Sequence, residues 1–297
     1  MENNKTIIQK LLAIQYKKNN SQQKPPLVQP IVVKPPHLKK ALLIGINYYE
    51  DPKNKLNGCI NDINNMKQHL LKKYPSLLAS NIIILTDAPN ENILRKPTRT
   101  NIIGAINWLV QGLKPGENVY FHYSGHGGLV VDKNGDEQTG KDSCIYPINK
   151  GKIEVIIDDE LRSILANKIP RGCKCFAVLD CCHSGTALDL RNKYDFNLDN
   201  TILCKTDSKY QNTSGSVIFL SGCMDQQTSA DTVDNKGVPS GALTNALLYV
   251  WNNYGSNIQW MYLLWEIRAF LKRGKYEQIP QLSSGIELDI NSKFNLN

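Results

Sequence analysis

Continuous apolar runs separated by amphipathic segments are the feature that most limits the folds open to this chain. Strands whose two faces are both buried have this composition, and such strands are typical of parallel sheets covered by helices on both sides. The runs are ALLIGIN (41–47), NIIILT (81–86), NVYFHYS (118–124), CKCFAVLD (173–180) and SVIFLSG (216–222).

Helical periodicity fills the intervals between these runs. Helices are expected over 57–73 and 100–113, near 159–168, and at about 240–252 and 258–272. A last short strand is expected near 284–288. Strands that alternate with helices predict an α/β fold, a three-layer sandwich with a mostly parallel central sheet and helices on both faces.

The first 37 residues differ in composition from the rest of the chain. The stretch SQQKPPLVQPIVVKPPH is rich in Pro and Gln, and it predicts an extended, flexible arm over 1–37. Residues 38–297 are expected to form the folded domain.

Charge and cysteine usage exclude several classes of protein. The 35 Lys and Arg against 27 Asp and Glu are too dilute, and too scattered outside the arm, to predict a nucleic-acid partner. No apolar run approaches the roughly 20 residues of a membrane span, and no secretory leader is recognised at the start. We therefore expect a cytoplasmic protein whose eight cysteines are thiols.

A histidine and two cysteines directly follow two of the expected strands. His126 comes after 118–124, and Cys181 and Cys182 come after 173–180. Ligands of parallel sheets bind beyond the carboxyl ends of the strands, so these residues lie where chemistry is expected. A Cys–His pair is the minimum for thiolate catalysis, since the imidazole takes the thiol proton and later protonates the leaving amine.

Two other interpretations compete with a nucleophile. Cys173 and Cys175 alternate on a strand, which favours packing in the core. A zinc site that also includes Cys181, Cys182 and His183 is disfavoured, because a buried strand separates the two clusters and no CxxC pair occurs.

Two motifs, HYSGHG (122–127) and DCCHSG (180–185), resemble the signature of the metacaspases, which are caspase-like cysteine peptidases. Further matches, in the family's order, are KALLIGINYY, GCINDINNM, SGCMDQQTSAD and GALTNALL. The resemblance covers roughly residues 39–290 and is closest to the single-chain, type I arrangement. The chain lacks the cysteine-rich zinc finger of some type I members and a very long insertion before SVIFLSG.

The resemblance implies a catalytic dyad with no third member. His126 would be the acid and base, and Cys182 the nucleophile, while Cys181 would be a bystander. The 56 positions between them are close to the roughly 50 of caspases. The oxyanion would be held by the backbone N–H groups of Gly127 and Cys182.

The resemblance also implies an acidic specificity pocket that selects Arg or Lys before the scissile bond. The matching positions are Cys59, Asp62, Ser124 and Asp180. An aspartate side chain of the substrate about 4 Å from one of these carboxylates would be disfavoured by about 4 kcal/mol at an effective dielectric of 20. Taken alone, Asp62 could be a solvated helix residue and Asp180 a strand cap.

Calcium is the cofactor that the resemblance implies. Four aspartates match the family's calcium-binding positions, and carboxylates suit this hard cation: Asp142, Asp158, Asp159 and Asp189. The alternative for Asp158 is an N-cap of the helix at 159–168. The stretch DKNGDEQTGKD (132–142) lacks the terminal Glu of an EF-hand and predicts a hairpin turn.

The expected function is a calcium-dependent cysteine endopeptidase that acts on polypeptides after Arg or Lys, as a monomer. The alternatives are a non-catalytic, calcium-responsive scaffold with the same fold, and a thiol hydrolase of small amides. Basic residues in exposed segments are candidate sites of self-cleavage: Lys34, Lys39, Lys40, Arg191, Lys193, Lys205 and Lys209.

Overall fold

A computed structural model describes residues 35–132, 135, 140–182, 187–196, 202–222, 231–233 and 237–297. The predictions for the arm as far as Lys34, and those for His183, lie outside these residues. The first strand begins at His37, the last residue that the sequence assigned to the arm.

The helices of the described residues lie close to their expected positions. Their bounds are α1 Cys59–Lys73, α2 Arg99–Val110, α3 Asp158–Ile164, α4 Ala242–Tyr254 and α5 Trp260–Arg273. Short 3-10 turns occur at Ala79–Asn81, Ile93–Arg95, Ala166–Lys168 and Gly255–Asn257. Within the described ranges, no helix combines the length and the hydrophobicity that crossing a membrane requires.

The strands are more numerous than the sequence predicted. They are β1 His37–Gly45, β2 Ile82–Thr86, β3 Glu117–Ser124, β4 Gly127–Val131, β5 Lys141–Ile145, β6 Ile148–Asn149, β7 Lys152–Ile153, β8 Ile156–Ile157, β9 Lys174–Asp180, β10 Asn192–Phe196, β11 Ile202–Thr206, β12 Ser216–Ser221, β13 Asp231–Val233, β14 Pro239–Gly241 and β15 Gln281–Ser284.

The central sheet has eight strands in the order β11-β10-β15-β12-β9-β3-β1-β2. The five strands from β12 to β2 are parallel, and β15, β10 and β11 extend the sheet as antiparallel neighbours. Smaller sheets join β4-β5-β8, β6-β7 and β13-β14. β4 and β5 are antiparallel neighbours, with Val131 in register with Lys141. Most of the turn expected at 132–142 lies outside the described residues.

Successive residues of the parallel strands are buried on opposite faces of the sheet. On β9, Phe176 and Val178 pack into one core cluster with α1, α4 and α5. Cys175, Ala177 and Leu179 pack into the other with α2 and α3. Both faces are covered, which confirms the predicted three-layer sandwich and explains why these strands are apolar at every position.

The prediction for the last strand was wrong. We expected it near 284–288, and β15 lies at Gln281–Ser284. Leu282 and Ser284 are in register with Leu220 and Ile218 of β12. The apolar residues Leu288 and Ile290, which follow β15, pack against the core from a loop.

The segment between the fourth and fifth expected strands contains strands that the sequence did not predict. It contains the hairpin strands β10 and β11, which form one edge of the sheet. Tyr194 is buried there, and its hydroxyl is 3.0 Å from the hydroxyl of Ser284 on β15. Polar residues occur on both faces of these strands, as in NKYDF of β10, so no apolar run marked them as strands.

Candidate active site

Neighbouring strands bring His126 and Cys182 to the same edge of the sheet. β3 and β9 are parallel, with Ser124 in register with Asp180. His126 and Cys182 each follow the last residue of their strand by two positions. The amide of Gly125 donates to the carbonyl of Asp180 at 3.3 Å and holds the two strand ends together.

Close approach of the two loops requires glycine at position 127. A Cβ atom there would collide with the carbonyl oxygen of Cys182 and would lie 2.9 Å from Sγ of Cys181. Gly127 and Cys182, whose N–H groups are the predicted oxyanion donors, are therefore in contact through their backbones.

The imidazole of His126 is oriented by groups that the sequence motifs did not reveal. Its Nε2 lies 2.7 Å from the carbonyl oxygen of Asn54, and its ring packs 4.7 Å from that of Tyr48. Since a carbonyl only accepts, Nε2 carries the proton and Nδ1 is the basic nitrogen. The backbone carbonyl of Asn54 thus orients the histidine, which is the role of the third residue in a catalytic triad.

Two tyrosines fix the backbone of the same histidine. The amide of His126 donates to the Tyr48 hydroxyl at 2.9 Å, and the Tyr123 hydroxyl donates to the carbonyl of His126 at 2.7 Å. Tyr48 belongs to the GINYY motif, but nothing in the sequence indicated which of its residues faces the histidine.

Exposure separates Cys182 from the other cysteines of this region. Cys173, Cys175 and Cys181 are buried in the core cluster beneath α2 and α3, as expected for the first two. Burial raises the pKa of the Cys175 thiol to about 12. Cys182 is half-buried and is therefore the thiol that substrate can reach. The described residues contain no His, Cys, Asp and Glu cluster of the kind that holds zinc.

Two aspartates lie beside this edge and flank a single glycine. A Cβ atom at Gly241 would collide with Oδ2 of Asp180 and would lie 2.8 Å from Oδ2 of Asp62. Asp62 is fully buried on the first turn of α1, and Asp180 ends β9 with 4% of its surface exposed. We call Asp62 and Asp180 the acid pair.

Asp62 is held by a dense set of donors. The Ser124 hydroxyl donates to Oδ2 and the Ser240 hydroxyl to Oδ1, each at 2.6 Å. The amide of Gly241 lies 2.9 and 3.0 Å from the two oxygens. Burial, reinforced by the charge of Asp180, nevertheless raises the pKa of Asp62 to about 8. The alternative of a solvated helix residue is therefore wrong for Asp62.

Asp180 is held from α4. The backbone amide and the hydroxyl of Thr244 both donate to its Oδ2 at 2.8 Å. The sequence missed Ser240, Gly241 and Thr244, although the GALTNALL motif contained the last two. These residues are about 180 positions from Asp62, so only the tertiary fold shows that they belong to the site.

Cys59, the fourth residue predicted for the pocket, begins α1. It is buried, and its amide donates to Oδ1 of Asn47 at 3.0 Å. Its carbonyl would lie 2.5 Å from a Cβ atom at Gly45, so α1 packs closely on the end of β1. A direct role of the Cys59 thiol in substrate binding stays a prediction.

Three of the four aspartates predicted for calcium are buried near one another. Burial, together with the charges of Asp189 and Asp142, raises the pKa of Asp158 to about 8, although hydrogen bonds from the amides of Ser143 and Asp159 oppose the shift. Asp159 is half-buried. Asp158 begins α3 and Ile157 is the cap, so the N-cap alternative for Asp158 is wrong.

A bound cation relieves the mutual repulsion of buried carboxylates, and calcium prefers oxygen ligands. The chemistry of Asp142, Asp158 and Asp189 therefore fits the ion. In the described residues, however, no three acidic, His or Cys side chains already converge as a ligand cage. A cation would have to draw these carboxylates closer together.

Known proteins resemble this chain in sequence and in fold. The family model described as metacaspase, peptidase C14 domain, matches residues 39–191. Metacaspase-1 of Scheffersomyces stipitis is 37% identical over 86% of this chain and 73% of its own length. The chain belongs to the metacaspase family. Metacaspase-1 of Eremothecium gossypii is also 37% identical, and this chain spans 66% of its length.

A solved structure supports the fold assignment of this metacaspase. The crystal structure of a Geobacter sulfurreducens protein superposes with a TM-score of 0.62 over 88% of this chain and 99% of that one. The two sequences are 24% identical, so this likeness concerns the fold alone.

Replacing Gly241 by alanine tests the crowding around the acid pair. We expect Gly241→Ala to lower the free energy of unfolding by about 1–3 kcal/mol, because a Cβ atom must displace buried carboxylates. Gly104, in α2, has no atom within 4 Å of its would-be Cβ. Gly104→Ala should therefore leave stability unchanged or raise it by up to about 1 kcal/mol. Equal effects in urea titrations of both variants would contradict the packing described here.

The raised pKa of Asp62 predicts a pH-dependent stability. The folded chain holds this proton more tightly than the unfolded chain, whose pKa is about 4, so stability is lost as pH rises through about 8. In Asp62→Asn this loss is absent. The unfolding free energy of the variant relative to wild type should therefore rise between about pH 5 and pH 9. Glu287→Gln, at an exposed position, is the control. If the difference in unfolding free energy between Asp62→Asn and wild type did not change with pH, the pKa of Asp62 would be ordinary.

Proposed function

We propose that this metacaspase is a cysteine endopeptidase that cleaves polypeptides after Arg or Lys. The observation that carries the proposal is the acid pair of Asp62 and Asp180 beside the strand ends that present His126 and Cys182. A guanidinium or ammonium group is the side chain that two adjacent carboxylates attract.

The dyad supplies the chemistry of acyl transfer. Nδ1 of His126 takes the proton of the Cys182 thiol, and the thiolate attacks the scissile carbonyl carbon. The resulting oxyanion accepts from the N–H groups of Gly127 and Cys182. Collapse breaks the C–N bond as the imidazolium protonates the leaving amine, and a water molecule, deprotonated by His126, then hydrolyses the thioester.

The acid pair supplies selectivity through charge. A basic side chain entering beside Gly241 meets the carboxylates of both Asp62 and Asp180. A substrate aspartate would instead add negative charge where burial and Asp180 already disfavour the ionised form of Asp62. The acid pair therefore attracts basic substrate side chains and repels acidic ones.

A set of fluorogenic peptides that differ only in the last residue tests this proposal. We expect release from Arg and Lys peptides, none from Asp peptides, and loss of release in Cys182→Ala and His126→Ala. Cys181→Ala is the matched control and should keep activity if it folds, since it changes the adjacent thiol. Activity that survives Cys182→Ala, or a preference for Asp, would overturn the assignment. No hydrolysis of any peptide by folded wild type would favour the scaffold alternative.

We also propose that calcium activates the enzyme through Asp142, Asp158, Asp159 and Asp189. The electrostatic coupling of the three buried carboxylates supports this proposal. Bound calcium would supply positive charge that cancels their repulsion. Asp158 lies on α3, and Asp189 follows the nucleophile by seven positions, so ordering this region would act close to Cys182.

Calorimetric titration of the whole chain with CaCl2 tests the cation site directly. Binding should be detected in wild type and be weakened at least about tenfold in Asp158→Asn, since each charged ligand contributes to affinity. Glu287→Gln should bind as wild type does. Absence of binding heat in wild type, together with peptide hydrolysis that a chelator leaves unchanged, would remove calcium from the account.

Self-cleavage is proposed at the junction between β11 and β12. Lys40, Lys193 and Lys205 are paired within strands of the central sheet, and Lys39 lies in β1 at an irregularity of its register with β3, although β11 is an edge strand. Lys209 is exposed in the turn that follows, so we favour cleavage after Lys209 among the described candidates.

We further propose a cytoplasmic monomer. Caspases associate through the last strand of the sheet, and here β10 pairs with β15 while β11 continues beyond it. Seven cysteines of the described residues form no disulfide, as expected in a reducing compartment.

A further inference from the structure

A line of buried hydrogen bonds runs through the core to one member of the acid pair. The Tyr120 hydroxyl is 2.9 Å from Nδ1 of His122, and Nε2 of His122 is 3.0 Å from Oγ1 of Thr244. Oγ1 of Thr244 lies 2.8 Å from Oδ2 of Asp180. Tyr120, His122 and Thr244 are completely buried. We call these three side chains the relay.

The direction of every hydrogen bond in the relay follows from its far end. The carboxylate of Asp180 only accepts, so the Thr244 hydroxyl donates to it. That hydroxyl has no second hydrogen and must accept from Nε2 of His122. Nδ1 of His122 then carries no proton, and it accepts a hydrogen bond from the Tyr120 hydroxyl.

The histidine of the relay is neutral, as this pattern requires. Complete burial lowers the pKa of His122 to about 3. His122 is thus distinct in environment from His126, four positions later, which is half-buried at the strand end. The proposed dyad makes no use of His122, so its polar character in an apolar core needs another explanation.

The relay joins the three elements that form the specificity site. Tyr120 and His122 lie on β3, which ends in Ser124, a donor to Asp62. α4 begins directly after Gly241, and Thr244 lies on its first turn. Asp180 ends β9. Thr244 binds Oδ2 of Asp180 with two donors, its amide and its hydroxyl, so the carboxylate has one fixed orientation.

We propose that Thr244, with His122 acting through it, is a specificity-positioning residue that holds the Asp180 carboxylate ionised and aimed at a basic substrate side chain. This inference rests on the proposed Arg and Lys specificity and deepens it. The Thr244 hydroxyl and amide stabilise the negative charge of Asp180 by donating to its Oδ2. His122 fixes the orientation of the Thr244 hydroxyl, because the Nε2–H group of His122 donates a hydrogen bond to its oxygen.

Paired peptides ending in Arg or in citrulline, its uncharged analogue, measure this role. In Thr244→Val we expect the ratio of kcat/KM for Arg over citrulline to fall about tenfold, the scale of one hydrogen bond to a charged group. The loss should be in KM for the Arg peptide. The kcat/KM for the citrulline peptide should fall less than that for the Arg peptide, and the rate of Cys182 alkylation by iodoacetamide should also change less, since alkylation does not use the acid pair.

Conservative and matched variants distinguish positioning from general damage. Thr244→Ser keeps the hydroxyl and should restore the ratio. Thr213→Val makes the same change at another buried threonine, whose hydroxyl donates to the carbonyl of Gly215, and should leave the ratio unchanged. If Thr244→Val does not fold, His122→Phe provides the second variant and should lower the ratio in the same direction.

Each outcome separates the two proposals. A wild-type protein that cleaves both peptides equally well refutes the basic specificity itself. A wild-type preference for Arg that persists unchanged in folded Thr244→Val or His122→Phe refutes the relay alone. Equal losses on both peptides, with slower alkylation of Cys182, would show a merely structural role and would also overturn the inference.

Discussion

The parallel pairing of β3 with β9 is the interaction on which the rest of the site depends. Its register sets Ser124 opposite Asp180, and from this one alignment both functional centres follow. Two residues beyond the strand ends come His126 and Cys182. At the strand ends themselves lie Ser124, which binds Asp62, and Asp180. If either strand slipped by one residue, its side chains would turn to the opposite face of the sheet, and Ser124 would no longer lie opposite Asp180.

The acid pair illustrates how the fold tolerates two buried acidic side chains. Two carboxylates beside Gly241 repel one another, and burial alone disfavours both. The fold offsets this cost with serine hydroxyls and the Gly241 amide on Asp62, and with Thr244 on Asp180. The remaining deficit appears as the raised pKa of Asp62. A basic substrate group would supply the missing positive charge.

Much of the architecture was predictable because it depends on local pattern. Uninterrupted apolar runs such as 173–180 revealed strands buried on both faces, and their ends identified His126 and Cys182. β10 and β11 escaped prediction because the face that carries Lys193, Lys205 and Asp195 breaks any continuous apolar run. The carbonyl of Asn54 escaped because a backbone group leaves no signature in sequence. Thr244 and Ser240 escaped because only the tertiary fold brings α4 to the end of β9.

Covalent capture of the nucleophile tests the central claim most directly, since it reports the reacting thiol and the preferred side chain together. The whole protein is incubated with electrophilic peptide ketones that end in Arg or in Asp, and the modified residue is located by peptide mass mapping. The account predicts a single adduct on Cys182, formed with the Arg reagent and abolished in His126→Ala. An adduct on Cys181, or labelling by the Asp reagent at an equal rate, would contradict it.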